Sequence, residues 1–266
     1  MQTNEEKSAR TLLENERIDK VNDDIELIQR TDGLTFGTDA LLLAAFIDGG
    51  SVRALEIGGG TGIISLLCLT RNKFDTVECC EVQRTFADII SRNAVINRLE
   101  KRLTVRHADV RTLVTDKPFD AVFTNPPYMT PSSGRANENS GKNAARHEIN
   151  GGIADFCLSA KRLLKFGGSF FAVYRPDRLA DLIAAMKGAG IEPKRMTFVH
   201  ADAESEPSVV LTEGRMGGKG GMRVTRPLII YNDKTHTEES RDMKYILDNG
   251  SFPEDFSNRN RGRKNG

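Results

Sequence analysis

"RALEIGGGTGIISLLCLTRN" runs from Arg53 to Asn72. Its first part is a short apolar run that ends in glycines. Its second part has the length and apolar spacing of a helix. The stretch reads as a strand, a tight turn over Gly58 to Gly62, and a helix. Glycines let the chain turn sharply and let a ligand come close to the backbone.

The same rhythm continues downstream. "DTVECCEV", "LTVRHADV", "FDAVFTNPPY" and "SFFAVYRP" read as strands, and "TFADIISRNAVINR", "ADFCLSAKRLLKFGG" and "DRLADLIAAMKGAG" read as helices, the last two with glycine stops at Gly167-Gly168 and Gly190. Strands alternating with helices predict an α/β fold: a Rossmann-like, doubly wound, mostly parallel sheet of seven strands. "PKRMTFVHA", "PSVVLTEGRM" and "RPLIIYND" follow one another without a crossover helix, so an antiparallel strand is expected at one edge. Upstream, Thr38 or Asp39 is a plausible N-cap for a helix over Ala40 to Ile47.

The 266 residues are enough for one large domain or two small ones, and the net charge of +1 hides only local asymmetry. Residues 1–20 are polar and predict a flexible arm; 21–245 hold the domain; 246–266 predict a flexible basic tail carrying Arg259, Arg261, Arg263 and Lys264. Cys68, Cys79, Cys80 and Cys157 show neither a CxxC spacing nor a disulfide framework. No metal site is expected. The charged N-terminus lacks the apolar core of a signal peptide, and no run approaches a membrane span, so the expectation is a cytoplasmic protein.

In doubly wound sheets, ligands bind outside the carboxyl ends of the strands. That rule puts Gly58 to Gly62, Glu81, Asp109 and Asn125 along one rim, since each lies at or just past a strand end. The dinucleotide pattern G-x-G-x-x-G fails from Gly58, whose sixth position is Ile63, and from Gly60, whose sixth is Ser65. Glu81 falls about twenty residues after the turn, where a carboxylate accepts hydrogen bonds from both ribose hydroxyls. Asp109 in "HAD" is placed to meet an adenine amino group. Glu78 has no role in this reading.

The fourth strand ends in "NPPYM", Asn125 to Met129. Two prolines fix φ and donate no hydrogen bonds. They make a stiff rim that holds one amide and one ring. An acid-x-G-x-G-x-G turn, acids after the second and third strands, and Asn-Pro-Pro-Tyr after the fourth together resemble the class I S-adenosylmethionine-dependent methyltransferases, in the branch that methylates planar nitrogens. The similarity runs from about Leu34 to Arg175. It implies S-adenosylmethionine as cofactor, held by Glu56, Gly58, Gly60, Gly62, Glu81 and Asp109. "TFGTDALLLAAF" resembles the segment that closes over the cofactor's methionine end in this branch, which points to Phe36, Gly37 and Thr38.

In that reading Asn125, Pro126, Pro127 and Tyr128 are the catalytic residues, and Asn125 also borders the cofactor. The Asn125 side-chain oxygen and the Pro126 carbonyl each accept one N–H of the substrate amine and aim it at the methyl. Pro127 stiffens the clamp, and the Tyr128 ring stacks on the substrate. The motif alone leaves adenine N6, cytosine N4 and glutamine side-chain amides open. "GTDALLLAAF", "NPPYM" and "ARHE" resemble the bacterial tRNA adenine-N6 methyltransferases, which act beside the anticodon of a valine tRNA. The resemblance implies tRNA, through its anticodon stem-loop, as partner, with no obligate protein partner evident. A protein glutamine-N5 methyltransferase, or adenine-N6 methylation of rRNA or another nucleic acid, stands as the alternative. About thirty residues precede "GLTFGTDA", too few for the helical N-terminal domain of the glutamine-directed enzymes. Arg135, Lys142, Arg146 and His147 on the loop after the clamp, and Arg215, Lys219 and Arg223 in "GRMGGKGGMR", are candidate RNA contacts. Arg175 is a further phosphate candidate or a structural ion pair. His107 and His200 read as structural or exposed.

Overall fold

The computed structural model describes residues 4–32, 36–126 and 152–257. The described elements are α1 (Asn4–Ala9), β1 (Glu16–Lys20), β2 (Glu26–Arg30), α2 (Thr38–Phe46), β3 (Ser51–Ile57), α3 (Ile63–Thr70), β4 (Phe74–Glu81), α4 (Arg84–Ile96), β5 (Leu103–His107), β6 (Phe119–Thr124), α5 (Ile153–Leu163), β7 (Leu164–Tyr174), α6 (Leu179–Gly188), β8 (Ile191–His200), β9 (Pro207–Met216), β10 (Arg223–Val224), β11 (Leu228–Ile229) and α7 (Arg241–Asn249).

The main sheet runs β5-β4-β3-β6-β7-β9-β8, with the short β10 and β11 both pairing with β8. Seven long strands form it, the number expected, and the two short ones bring the total to nine; the run "RPLIIYND" contributes only the two-residue β11. Only β9 runs antiparallel, to β7 on one side and β8 on the other. It therefore lies inside the sheet and not at its edge. β8 and β9 form a hairpin, and β9 is the arm of it that pairs with β7.

Alternate residues of each strand feed the two faces, as a pleated sheet requires. Ala54, Val77, Cys79, Ala121, Phe123 and Phe171 pack beneath α2 and α3. Leu55, Ile57, Cys80, Val122 and Phe170 pack beneath α5 and α6. Cys68, Cys79, Cys80 and Cys157 are all buried free thiols. Helix α5 stops at Leu163, short of the glycines. Leu164 is buried and already pairs with Phe119, and a register irregularity on β6 and β7 absorbs the glycines that follow.

The expected loose arm is packed over residues 4–20. Ala9 joins Ile28, Ile89 and Ile96 in a small apolar cluster. Arg98 pairs with Glu6 at 3.0 Å, and Arg92 reaches both oxygens of the buried Glu16. The expected tail is also packed up to residue 257. Phe252 and Phe256 are buried, and the fully buried Arg195 holds this segment by donating to the Phe256 carbonyl at 3.1 Å. The basic residues Arg259, Arg261, Arg263 and Lys264 lie outside the described residues.

Candidate active site

Chain order reverses between β3 and β6: the strands after β3 run outward to β5, then the chain returns to lay β6 on the other side of β3. Such a switch point opens a crevice at the carboxyl ends. Ile57 is in register with Thr124, the last residues of the two strands. The Thr124 hydroxyl donates to the Ile57 carbonyl at 2.9 Å. The glycine turn and Asn125 therefore start side by side, one strand spacing apart (about 4.8 Å).

Gly58, Gly60 and Gly62 take φ of 70°, 55° and 80°, so the turn needs glycine at each. A Cβ built on Gly58 or Gly60 meets nothing within 4 Å, so this face of the turn is bare backbone on the open rim. Glu81, at the end of β4, accepts from the Gly60 amide at 3.1 Å and from Gln83 N at 2.8 Å. Its burial raises its pKa above the ordinary carboxylate value. Asp109, past β5, is held by the Arg111 side chain (2.6 Å to Nη2) and amide, and the Arg111 hydrogen bond keeps its carboxyl below the usual range.

Glu56 departs from the expected cofactor contact. It is 1% exposed and lies under the turn, where it accepts from the Ser65 amide at 3.1 Å and from the Ser65 hydroxyl. Burial pushes its pKa up to about 8. The side chain anchors the start of α3 to the end of β3, so it shapes the turn from below.

Two supporting residues escaped the sequence reading. Asn93 of α4 is fully buried. It donates to the Thr61 carbonyl at 2.9 Å and exchanges two bonds with the backbone of Ile28, tying the turn to the β1–β2 hairpin. A buried polar residue on the apolar side of "TFADIISRNAVINR" was the available signal. Asp39, read only as a possible cap, accepts from the Asn125 side-chain amide at 3.1 Å. The segment Phe36 to Thr38 leads into α2 beside it, with Gly37 at the N-cap position.

Residues 31–181 match the methyltransferase small domain family, more than half of the chain. The chain belongs to this family. It is an S-adenosylmethionine-dependent methyltransferase. Among similar proteins, the tRNA1(Val) (adenine(37)-N6)-methyltransferase of Phocaeicola vulgatus is 30% identical over 66% of this chain and 74% of its own. That of Dyadobacter fermentans is 25% identical over 77% and 85%. Among solved structures, a protein of Agrobacterium tumefaciens described as a predicted O-methyltransferase superposes with a TM-score of 0.65 at 20% identity, covering 81% of this chain and 98% of that one. M. jannaschii TYW2, solved with AdoMet, gives 0.52 at 13%, covering 77% and 87%. These last two share the fold.

The methyltransferase's residues fit its cofactor on the evidence of the rim itself: bare turn backbone at Gly58 and Gly60, and an adjacent buried carboxylate at Glu81. The expected basic contacts divide. Arg215 lies near the far end of the antiparallel β9 and donates to the Gly167 carbonyl at 2.8 Å. Lys219 follows it, beyond the same end. Arg223 lies on the outer side of β8 and donates to the Ser257 carbonyl at 2.6 Å and to the Asp255 carbonyl. The structure does not bring these three together with Asn125: the reversal of β9 carries Arg215 and Lys219 toward the opposite end of the sheet, and Arg223 on β10 lies at its far edge, with β8, β9 and β7 between it and β6. Pro127, Tyr128, Arg135, Lys142, Arg146 and His147 lie outside the described residues. Arg175 is paired with Asp177 at 2.8 Å. Glu78, unexplained by sequence, pairs with Arg53 at 3.2 Å and Arg106 at 3.1 Å. Among the described residues, no group of three or more His, Cys, Asp or Glu could hold a metal ion. No helix among them is long and apolar enough to cross a membrane.

Proposed function

We propose that the enzyme methylates the exocyclic N6 amine of adenine in a tRNA, at the purine beside the anticodon of a valine tRNA. The observation that carries this reading is the in-register pairing of Ile57 with Thr124, which sets the glycine turn and Asn125 next to each other at the switch point. The likeness to relatives that bear the name tRNA1(Val) (adenine(37)-N6)-methyltransferase supports the choice of amine.

The rim offers separate ground for the two reactants. Glu81 and Asp109 lie on the β4–β5 side, where the cofactor's ribose and adenine would be held. A cleft of about 570 Å³ lined in part by Arg175, Asp177, Glu206 and Ser208 opens on the β7–β9 side. That volume is in the range of small-molecule sites, about 300–1,000 Å³.

S-adenosylmethionine, when bound, supplies an electrophilic methyl. The chain's own residues orient the nucleophile. An adenine amine shares its lone pair with the ring and is a weak nucleophile. The Asn125 carbonyl oxygen and the Pro126 carbonyl would each accept one of its N–H bonds. Both bonds strengthen as the nitrogen pyramidalises and gains positive charge, so they favour the transition state over the ground state. The alkylated amine is acidic enough to lose its proton to solvent, so no strong base is required. The target purine sits in a single-stranded loop and can be turned out without breaking a duplex. A tRNA substrate suits a cytoplasmic enzyme.

The test is nucleoside mass spectrometry of tRNA transcripts incubated with enzyme and methyl-labelled cofactor. N6-methyladenosine confined to valine tRNA is the expected result. Label in a release-factor glutamine, in cytosine N4 or only in rRNA would overturn it.

A further inference from the structure

We infer that Asp39 is the positioning residue that sets the direction of the Asn125 amide. The inference rests on the reading of Asn125 as the group that grips the substrate amine. An Asn side chain presents an acceptor on one branch and two donors on the other, and only the acceptor branch can receive the N–H of an amine. A rotation of half a turn about the last torsion would point N–H at N–H and repel the substrate. Something must therefore choose between the two.

Asp39 makes that choice. Its Oδ2 accepts from Asn125 Nδ2 at 3.1 Å, across 86 positions of sequence. Carboxylate oxygens accept and do not donate, so the flipped amide would set oxygen against oxygen. With Nδ2 committed to Asp39, Oδ1 is on the other branch of the amide. Asp39 is itself fixed. It stands in the first turn of α2, where the helix end favours a negative charge, and its Oδ1 accepts from the Ala40 amide at 2.9 Å.

Gly37 supplies a second, independent observation. Its φ of −108° and ψ of 176° suit any residue, so conformation does not require glycine there. Space does. A Cβ on residue 37 would lie 2.7 Å from Asp39 Oδ1 and next nearest to Asp39 Cγ at 3.7 Å. Glycine at this position leaves room for the carboxylate and for nothing else within reach. An amine gripped by Asn125 would become cationic on the far side of the amide from the carboxylate, so the negative charge of Asp39 would act in the same direction as its geometry.

The experiment measures methyl transfer to a tRNA transcript and cofactor affinity by calorimetry for D39A, D39N, G37A, N125A and D39A/N125A, with thermal unfolding of each. D39A should lower kcat about a hundredfold, the size of losing one preorganised polar contact, with the cofactor Kd within about threefold of wild type. D39N keeps an acceptor but permits the flipped amide, so it should fall between D39A and wild type. G37A displaces the carboxylate without removing it and should lower kcat with an unchanged midpoint of unfolding; it carries the test if D39A does not fold. In the N125A background D39A should add nothing. Equal losses of kcat and cofactor affinity, additive losses in the double variant, or an active D39A beside an inactive N125A would overturn the inference and leave the clamp standing. A fully active N125A would remove the clamp reading itself, and the inference with it.

Discussion

The Thr124 hydroxyl donates to the Ile57 carbonyl at 2.9 Å, and both residues are buried. This bond joins the two strand ends that carry the glycine turn and the amide clamp. It stands where the parallel ladder stops and the chains diverge. The T124V variant keeps the shape and deletes the donor, leaving a buried carbonyl short of a partner. It should lose about 1–2 kcal/mol in urea denaturation, and T124S should recover most of that. Equal stability for wild type and T124V would show that the ladder alone holds the switch point.

Glu81 should govern cofactor affinity more than turnover. E81A is expected to raise the cofactor Kd most among the rim acids, while kcat at saturating cofactor stays within a few-fold. Burial raises the Glu81 pKa. Its acceptor form is therefore lost on acidification at a higher pH than for an ordinary glutamate, and Kd should climb there. E81Q should bind weakly at every pH, with a flat profile. Calorimetry across the acidic range checks both; a wild-type profile parallel to that of E81Q would exclude Glu81 as the titrating group.

Glu56 predicts a pH-dependent stability. Its folded pKa of about 8 is well above the ordinary 4.5. A raised folded pKa contributes stability that is complete below the unfolded pKa and is lost as pH rises through the folded one. Between those two values the folded state holds one more proton than the unfolded, so stability should fall by up to about 1.4 kcal/mol per pH unit. E56Q does not titrate. The stability difference between wild type and E56Q should therefore shrink or change sign from acid to alkaline pH, read by denaturation at fixed pH steps. A constant difference would refute the assignment.

Arg195 is fully buried between Glu213 at 2.9 Å and Asp48 at 3.3 Å, with the Phe46 ring beneath its guanidinium. It also donates to the carbonyls of Phe46 and Phe256. R195M removes the buried cation nearest Glu213, leaving the more distant Arg215 at 3.9 Å, and should cost about 3–5 kcal/mol. Adding E213L removes the poorly compensated charge and should restore part of the loss. Additive destabilisation in the double variant would argue that the carbonyl bonds, not the ion pair, hold the C-terminal segment.

Much of the fold was legible because its signals are local. Apolar runs, helix periodicity and glycine punctuation identified the strands that carry Glu81, Asp109 and Asn125, and the two-fold wrapping of the sheet followed from their alternation. Where local signals conflicted with packing, packing won. The charged residues 4–20 read as an arm because their stability comes from partners elsewhere, with Arg92 and Arg98 of the α4 region neutralising Glu16 and Glu6. The glycines at 167 and 168 read as a helix stop, but Leu164 gains more by entering the sheet beside Phe119.

The sequence by itself determined the chemistry available at the rim: a turn in which only Thr61 carries a side chain, two acids after strands, and an amide stiffened by proline. Each of these is a property of a few neighbouring residues, and neighbours interact whatever the rest of the chain does. Only the tertiary structure decided how they meet. It turned Glu56 beneath the turn, carried Arg215, Lys219 and Arg223 away from the clamp, and laid β6 against β3 so that Asp39 and Asn125 touch. Strand order and side-chain facing depend on which surfaces cover one another in the folded core, a sum over distant contacts that no short stretch contains.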